Sequence, residues 1–264
     1  MTRTDFPAVV TAAGAATRFQ PFAATVPKEM LPLGPTPAVE HVIRECLGAG
    51  ATDVIVVTRP GDTVVPTHVQ GLRAEGLPVE TVAEDLSHGY GNATPLLTLR
   101  DRLASCEAFA VAFGDDILLG EHSSGTNLTT MRNHLRGGVE GVIAAQHIDR
   151  NDTRSFGIID TAADTPDRVR RIRQRPTPET VDEPLAVVSR LILRPSILAR
   201  LRPTELARGE VDLGIATGQL ATEACVLVHR IAGHWVTVGD PHRYFDALRT
   251  YWQHHTDPTG VPHP

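Results

Sequence analysis

The sequence predicts an α/β fold: a mostly parallel central sheet with flanking helices, and an antiparallel addition in the second half. Three observations carry that reading. Short apolar, β-branched runs alternate with amphipathic segments from Ala8 to about Arg136, the pattern of parallel strands joined by crossover helices. After residue 150 the spacing changes to strand, turn, strand. The 264 residues, 41% hydrophobic and 21% charged, can bury one large core, which excludes disorder as a whole-chain description.

In chain order, strands are expected at Ala8–Ala12, Asp53–Thr58, Pro78–Val82, Phe109–Phe113 and Gly141–His147, each rich in Val, Ile, Ala or Phe. Between the first two, Ala38-Val39, Val42-Ile43 and Cys46-Leu47 recur at helical spacing. Thr36 is placed to cap that helix, Pro37 suits its first turn, and Gly48 and Gly50 end it. Further helices are expected at Val64–Ala74, Ala93–Ala104 and Leu128–Arg136. Phe156–Asp160, Val169–Arg173 and Leu185–Leu193 read as strands with turns between them. A short helix near Ser196–Leu201, a longer one near Val211–Ala221, a strand at Cys225–Ile231 and a closing helix at Arg243–His254 follow. Thr256–Pro264, with three prolines and no apolar periodicity, reads as a frayed tail.

Composition removes several classes of function. A net charge of −6 gives no polyanion-binding footprint, so nucleic acid is not expected as a partner. No apolar run is long enough to span a membrane, and no signal-peptide core follows Met1–Pro7. Cys46, Cys106 and Cys225 are widely spaced and form no CxxC pair. A reduced, cytoplasmic protein without a disulfide or zinc framework is the expectation, and a homo-oligomer is left open. GxSxG and HExxH are absent, so neither a hydrolase elbow nor a zincin helix is expected.

One count says more. Of 25 basic residues 24 are Arg, and the only Lys is Lys28. A lone Lys in that background marks a position suited to a compact ammonium rather than a planar guanidinium. It stands in Pro27-Lys28-Glu29-Met30-Leu31-Pro32, which follows the run Ala12-Ala13-Gly14-Ala15-Ala16-Thr17-Arg18-Phe19 at the end of the first strand. Small residues there let backbone N–H groups approach a phosphate, and Arg18 and Lys28 supply charge to a polyphosphate. A tight βα turn with a solvated Arg is the plain alternative. A second feature is Phe113-Gly114-Asp115-Asp116, which closes an apolar strand. Ligands collect beyond the carboxyl ends of strands in open α/β sheets, and a carboxylate at that point is able to hold Mg²⁺.

The run GxxTRFxP…PKEMLP closely resembles the signature of sugar-1-phosphate nucleotidylyltransferases, and most of all the bacterial UTP–glucose-1-phosphate uridylyltransferase branch. The resemblance extends from about Ala8 to Leu248. It implies the nucleotide-diphospho-sugar transferase fold, with a Rossmann-like mostly parallel sheet and an antiparallel sugar-binding addition. It implies one domain over residues 1–255, with a nucleotide-binding half to about 120, a sugar-binding half from 121, and 256–264 as a flexible tail. Ala13, Gly14, Ala15 and Thr17 then belong to the loop that wraps the triphosphate, Arg18 steadies its outer phosphates, and Lys28 contacts the reacting ones. Ala16 stands where the family usually has Gly. In the segment from Glu84 to Ala93, Gly89 matches a base-recognising Gly, but Glu84 occupies the position of a Gln. A carboxylate only accepts hydrogen bonds. Glu84 can accept from N3–H of uracil or thymine, or from the two adjacent donors of guanine, so the base stays open.

The resemblance makes Asp115 the first metal ligand and Asp116 a contact on the sugar side. The second metal carboxylate is expected in an aromatic–x–Asp–x–Gly pattern, but Trp235-Val236-Thr237-Val238-Gly239-Asp240 has Thr237 at that position. Asp240 is the candidate replacement, and a helix cap before Pro241 is its other role. On the sugar side, Phe156-Gly157 matches an aromatic–Gly pair, and Gln174 and Arg175 replace the Glu and Lys that hold sugar hydroxyls and sugar phosphate. Ser189 replaces a Gly, and Glu210 matches a Glu that approaches the hydroxyls.

The implied activity joins a nucleoside triphosphate to a sugar 1-phosphate and releases pyrophosphate, by Mg²⁺-assisted in-line attack on the α-phosphorus. Two alternatives stay open: the same chemistry on a cyclitol phosphate, and a catalytically silent nucleotide-sugar sensor.

Overall fold

The computed structural model describes residues 5–14, 19, 26–205 and 209–255. In chain order the elements are β1 (Ala8–Ala12), β2 (Pro32–Leu33), β3 (Thr36–Pro37), α1 (Ala38–Gly48), β4 (Val54–Thr58), α2 (Val64–Ala74) and β5 (Val79–Ala83). Next come α3 (Thr94–Thr98), α4 (Arg100–Ala104), β6 (Phe109–Phe113), β7 (Asp116–Leu119), α5 (Thr126–His134) and β8 (Val139–His147). The chain continues with β9 (Gly157–Ala162), β10 (Thr165–Gln174), β11 (Leu185–Leu193), α6 (Leu213–Glu223), β12 (Cys225–Arg230), β13 (His234–Thr237) and α7 (Pro241–His255).

One nine-stranded sheet runs β5-β4-β1-β6-β11-β8-β12-β10-β9. β5, β4, β1 and β6 are mutually parallel, so their carboxyl ends open on one edge. β11 enters antiparallel to both β6 and β8, and β10 pairs antiparallel with β9 and β12. Alternation along the strands buries both faces. Ala8, Val10 and Ala12 of β1 pack under α1, α2 and α5, while Val9 joins Ile55, Val111 and the residues of α3, α4 and α6. A third cluster seats α7 on the short β2–β3 hairpin through Leu33, Val238, Ala247 and Tyr251.

Several expected boundaries shift. The expected Ala93–Ala104 helix breaks at Leu99 into α3 and α4. There Thr98 Oγ1 donates to the Thr94 carbonyl and accepts the Asp85 amide, a local competition that disfavours a continuous helix. Thr36 does not cap α1. Pro37 is the N-cap without a side-chain bond, and the Thr36 hydroxyl pairs with His41 Nε2 at 2.8 Å. The expected short helix near Ser196 is a 3₁₀ turn over Pro195–Arg200. β7 and β13, four residues each and without a sequence pattern of their own, form a separate ribbon with Thr237 opposite Asp116.

Candidate active site

The carboxyl ends of β1 and β6 lie side by side, and the chemistry-bearing groups gather just beyond them. β1 ends at Ala12, and Ala13 and Gly14 line a cavity there of about 300 Å³. Ala15, Thr17 and Arg18 lie outside the described residues. Gly14 is small because Lys28 lies against it: a Cβ at Gly14 would stand 3.2 Å from Lys28 Cε and 3.3 Å from Nζ. Lys28 opens a 3₁₀ turn, and its ammonium forms an ion pair with Asp115 Oδ2. Glu29, only 2% exposed, places Oε1 3.7 Å from the same nitrogen.

Burial pulls the Lys28 pKa down, but Asp115 first and Glu29 next outweigh it and hold the group above its ordinary value. The side chain is therefore an ammonium at neutral pH. Burial pushes the Glu29 carboxyl up to about 7, against the pull of Lys28. Asp116 is raised by burial and then by its neighbour Asp115, while Ser189 and Thr237 hydroxyls pull the other way. Asp116 Oδ2 accepts from Ser189 Oγ. Thr237, where the family pattern has Asp, donates to the Asp115 carbonyl at 3.3 Å.

A second cavity of about 300 Å³ adjoins the first. It brings together the expected Asp116, Gly157, Gln174 and Ser189, and adds Asp212, Trp235, Thr237 and Arg243. Phe156 meets Trp235 edge to face at 4.9 Å and carries the Arg243 guanidinium 4.4 Å above its ring. The two cavities share Lys28, Asn92, Phe113, Asp115 and Arg175. Arg175 stands at φ +49, a left-handed backbone uncommon for a branched-chain-free but Cβ-bearing residue, and its amide is held by the Phe156 carbonyl at 3.0 Å.

Three expected residues sit elsewhere. Glu210 lines the first cavity, with Glu84, rather than the one around Gln174. Gly89, at φ +97, lines neither, whereas its neighbours Tyr90 and Gly91 line the first. Asp240 also lines neither cavity. Its Oδ1 accepts the Arg243 amide at 3.1 Å, an N-cap of α7. Asn caps as well as Asp does, so Asp240→Asn is expected to keep both melting temperature and turnover. Loss of Mg²⁺-dependent turnover at an unchanged melting temperature would instead make that carboxylate a metal ligand.

Residues 7–254 match the family model described as nucleotidyl transferase. The chain belongs to that family. A curated relative, the UTP–glucose-1-phosphate uridylyltransferase of Pseudomonas aeruginosa, is 27% identical over 265 residues, covering 92% of this chain and 94% of its own. The enzyme of the same name from Staphylococcus saprophyticus is 26% identical, covering 88% of each chain. A solved UDP-glucose pyrophosphorylase complexed with UDP-glucose superposes with a TM-score of 0.79 at 21% identity, over 95% of this chain and 99% of that one. A putative glucose-1-phosphate thymidylyltransferase from Bacillus anthracis gives 0.78 at 17% identity, over 93% and 95%. This nucleotidyl transferase has the nucleotide-diphospho-sugar transferase fold and is an enzyme of the sugar-1-phosphate nucleotidylyltransferase class.

Proposed function

We propose that this nucleotidyl transferase works in the cytoplasm on UTP and a hexose 1-phosphate, seating the triphosphate in the cavity of Gly14 and Glu84 and the sugar phosphate in the cavity of Gln174 and Ser189. The observation that carries this reading is the junction. Lys28, Asp115 and Arg175 line both cavities, and a phosphoryl-transfer reaction needs its charge-stabilising groups where donor and acceptor meet.

The attacking oxygen belongs to a phosphate already ionised at neutral pH, so no general base and no covalent enzyme intermediate is required. The sugar phosphate oxygen attacks the α-phosphorus in line, and pyrophosphate leaves from the opposite side. Lys28, kept charged by Asp115, neutralises the reacting phosphates, and Arg175 grips the sugar phosphate as a two-pronged donor. Mg²⁺ fits the donor set: the Asp115 and Asp116 carboxylates and the Thr237 hydroxyl are hard oxygen donors, and this ion takes one or two carboxylates plus substrate phosphates. Asp115 would hold it, and the ion would offset triphosphate charge when bound.

Pyrophosphate release with Mg²⁺ tests the reading. The panel is UTP, dTTP and GTP against glucose, galactose and mannose 1-phosphates and a cyclitol 1-phosphate. Turnover that needs both a triphosphate and a hexose 1-phosphate supports it; turnover on the cyclitol alone moves the substrate class, and none at all leaves the silent sensor. Base choice has its own test. Glu84 lines the first cavity and accepts from the Thr94 hydroxyl. Glu84→Gln restores a donor, and is expected to shift the kcat/KM ratio from GTP toward UTP and dTTP by roughly 10-fold, the scale of one unpaired group. An unchanged ranking assigns base reading to the backbone next to Gly89, at Tyr90 and Gly91, which line the same cavity.

A further inference from the structure

We propose that Asp212 accepts a ring hydroxyl of the sugar phosphate, and that Asn92, from the nucleotide-side loop, is the positioning residue that holds it in place. The inference rests on the proposed function, because it takes the cavity of Gln174 and Ser189 as the seat of that substrate. Asn92 lines both cavities, and Asp212 lines the second.

The two side chains cap α6 together. Asn92 Oδ1 accepts the Leu213 amide at 2.7 Å, and Asp212 Oδ1 accepts the Ile215 amide at 2.8 Å. Two N–H groups of the first turn, which have no partner within a helix, are thereby satisfied from opposite halves of the chain. Asn92 Nδ2 then donates to Asp212 Oδ2 at 3.1 Å, which fixes the carboxylate from the side. The main chain keeps this arrangement in register: the Val211 amide donates to the Tyr90 carbonyl at 2.7 Å, and the Ala93 amide to the Val211 carbonyl at 3.1 Å. Gly91, at φ +145, permits that approach, since a Cβ there would stand 2.2 Å from the Val211 oxygen.

A carboxylate is acceptor-only, and each oxygen takes more than one donor. Oδ2 therefore accepts from Asn92 and retains a lone pair for a hydroxyl. Gln174 closes the far side, with Nε2 3.4 Å from Asp212 Oδ1. The contact across the two halves makes sugar recognition depend on a residue of the base-side loop.

Steady-state kinetics of pyrophosphate release test this, with UTP and the best hexose 1-phosphate of the panel. Asn92→Ala removes an exposed side chain and is expected to raise KM for the sugar phosphate by about 10-fold, the order of one charge-assisted hydrogen bond. KM for UTP, whose cavity Asn92 also lines, should rise several-fold less than KM for the sugar phosphate. Asp212→Asn should raise the same KM at least as much, and the double variant should match Asp212→Asn alone, because Asn92 acts through that carboxylate. One deoxy analogue of the sugar phosphate should be penalised by the wild type and not by Asp212→Asn. Multiplying effects in the double variant, equal rises in both KM values, or no analogue that Asp212→Asn tolerates would each overturn the inference while leaving the proposed function standing. A wild type that makes no pyrophosphate with any sugar phosphate overturns both.

Discussion

Lys28→Ala is expected to lower kcat/KM by roughly 10²–10³-fold, the scale of losing one preorganised charge at a reacting centre. The ammonium stands where the two cavities meet, paired with Asp115 and within 3.7 Å of Glu29. Removing it strips the only described lysine from the junction and leaves two buried carboxylates beside the incoming phosphates. Lys28→Arg is expected to be poor as well. A Cβ at Gly14 would stand only 3.2 and 3.3 Å from Lys28 Cε and Nζ, so the space beside the glycine suits a point charge and is too tight for a planar fork. Steady-state kinetics with both variants decide the matter, and near-normal turnover by Lys28→Arg would sink the argument from the single lysine.

Arg190→Met is expected to destabilise the fold by about 3–5 kcal/mol, the usual cost of stranding one partner of a buried ion pair. Arg190 is fully buried in β11, and its Nε and Nη2 meet the Glu45 carboxylate of α1 at 2.8 and 2.7 Å. Burial works against its charge, and Glu45 outweighs it, leaving the pKa raised. The same guanidinium donates to the Asp116 carbonyl at 2.8 Å and the Ser189 carbonyl at 3.1 Å. It thus ties the Asp115–Asp116 turn to α1 from beneath. Urea denaturation measures the loss, and the double variant Arg190→Met/Glu45→Met should recover most of it because no unpaired charge remains. A single variant as stable as the wild type would contradict the clamp.

The parallel half of the sheet was legible because period and composition agree there. β1 and β6 have the bounds read from the sequence, as does the antiparallel β11. β7 and β13 were not, since four residues each are too short to show alternation, and one of them begins inside the Asp115–Asp116 motif. Lys28 and Asp115 stand out in the sequence as the lone lysine and through the family resemblance, yet nothing there shows their ion pair, because it joins positions 87 residues apart. The same holds for Asn92 and Asp212, separated by 120 residues. Arg190 gave no signal at all: one Arg among 24, in an apolar strand, looks like surface until Glu45 is seen opposite. Glu29 stands in the lysine motif without a signal of its own, and its burial beside Gly14 and Gly114 appears only in three dimensions.

The central claim is that one ionised phosphate displaces pyrophosphate from a nucleoside triphosphate at the junction of the two cavities. Phosphorus NMR of the enzyme with Mg²⁺, UTP and the preferred hexose 1-phosphate observes every phosphorus at once. The account predicts that a diphosphate diester and pyrophosphate grow in equal amounts, and that neither forms when either substrate is left out. Nucleoside monophosphate or diphosphate as the product, or pyrophosphate formed without the sugar phosphate, would contradict it.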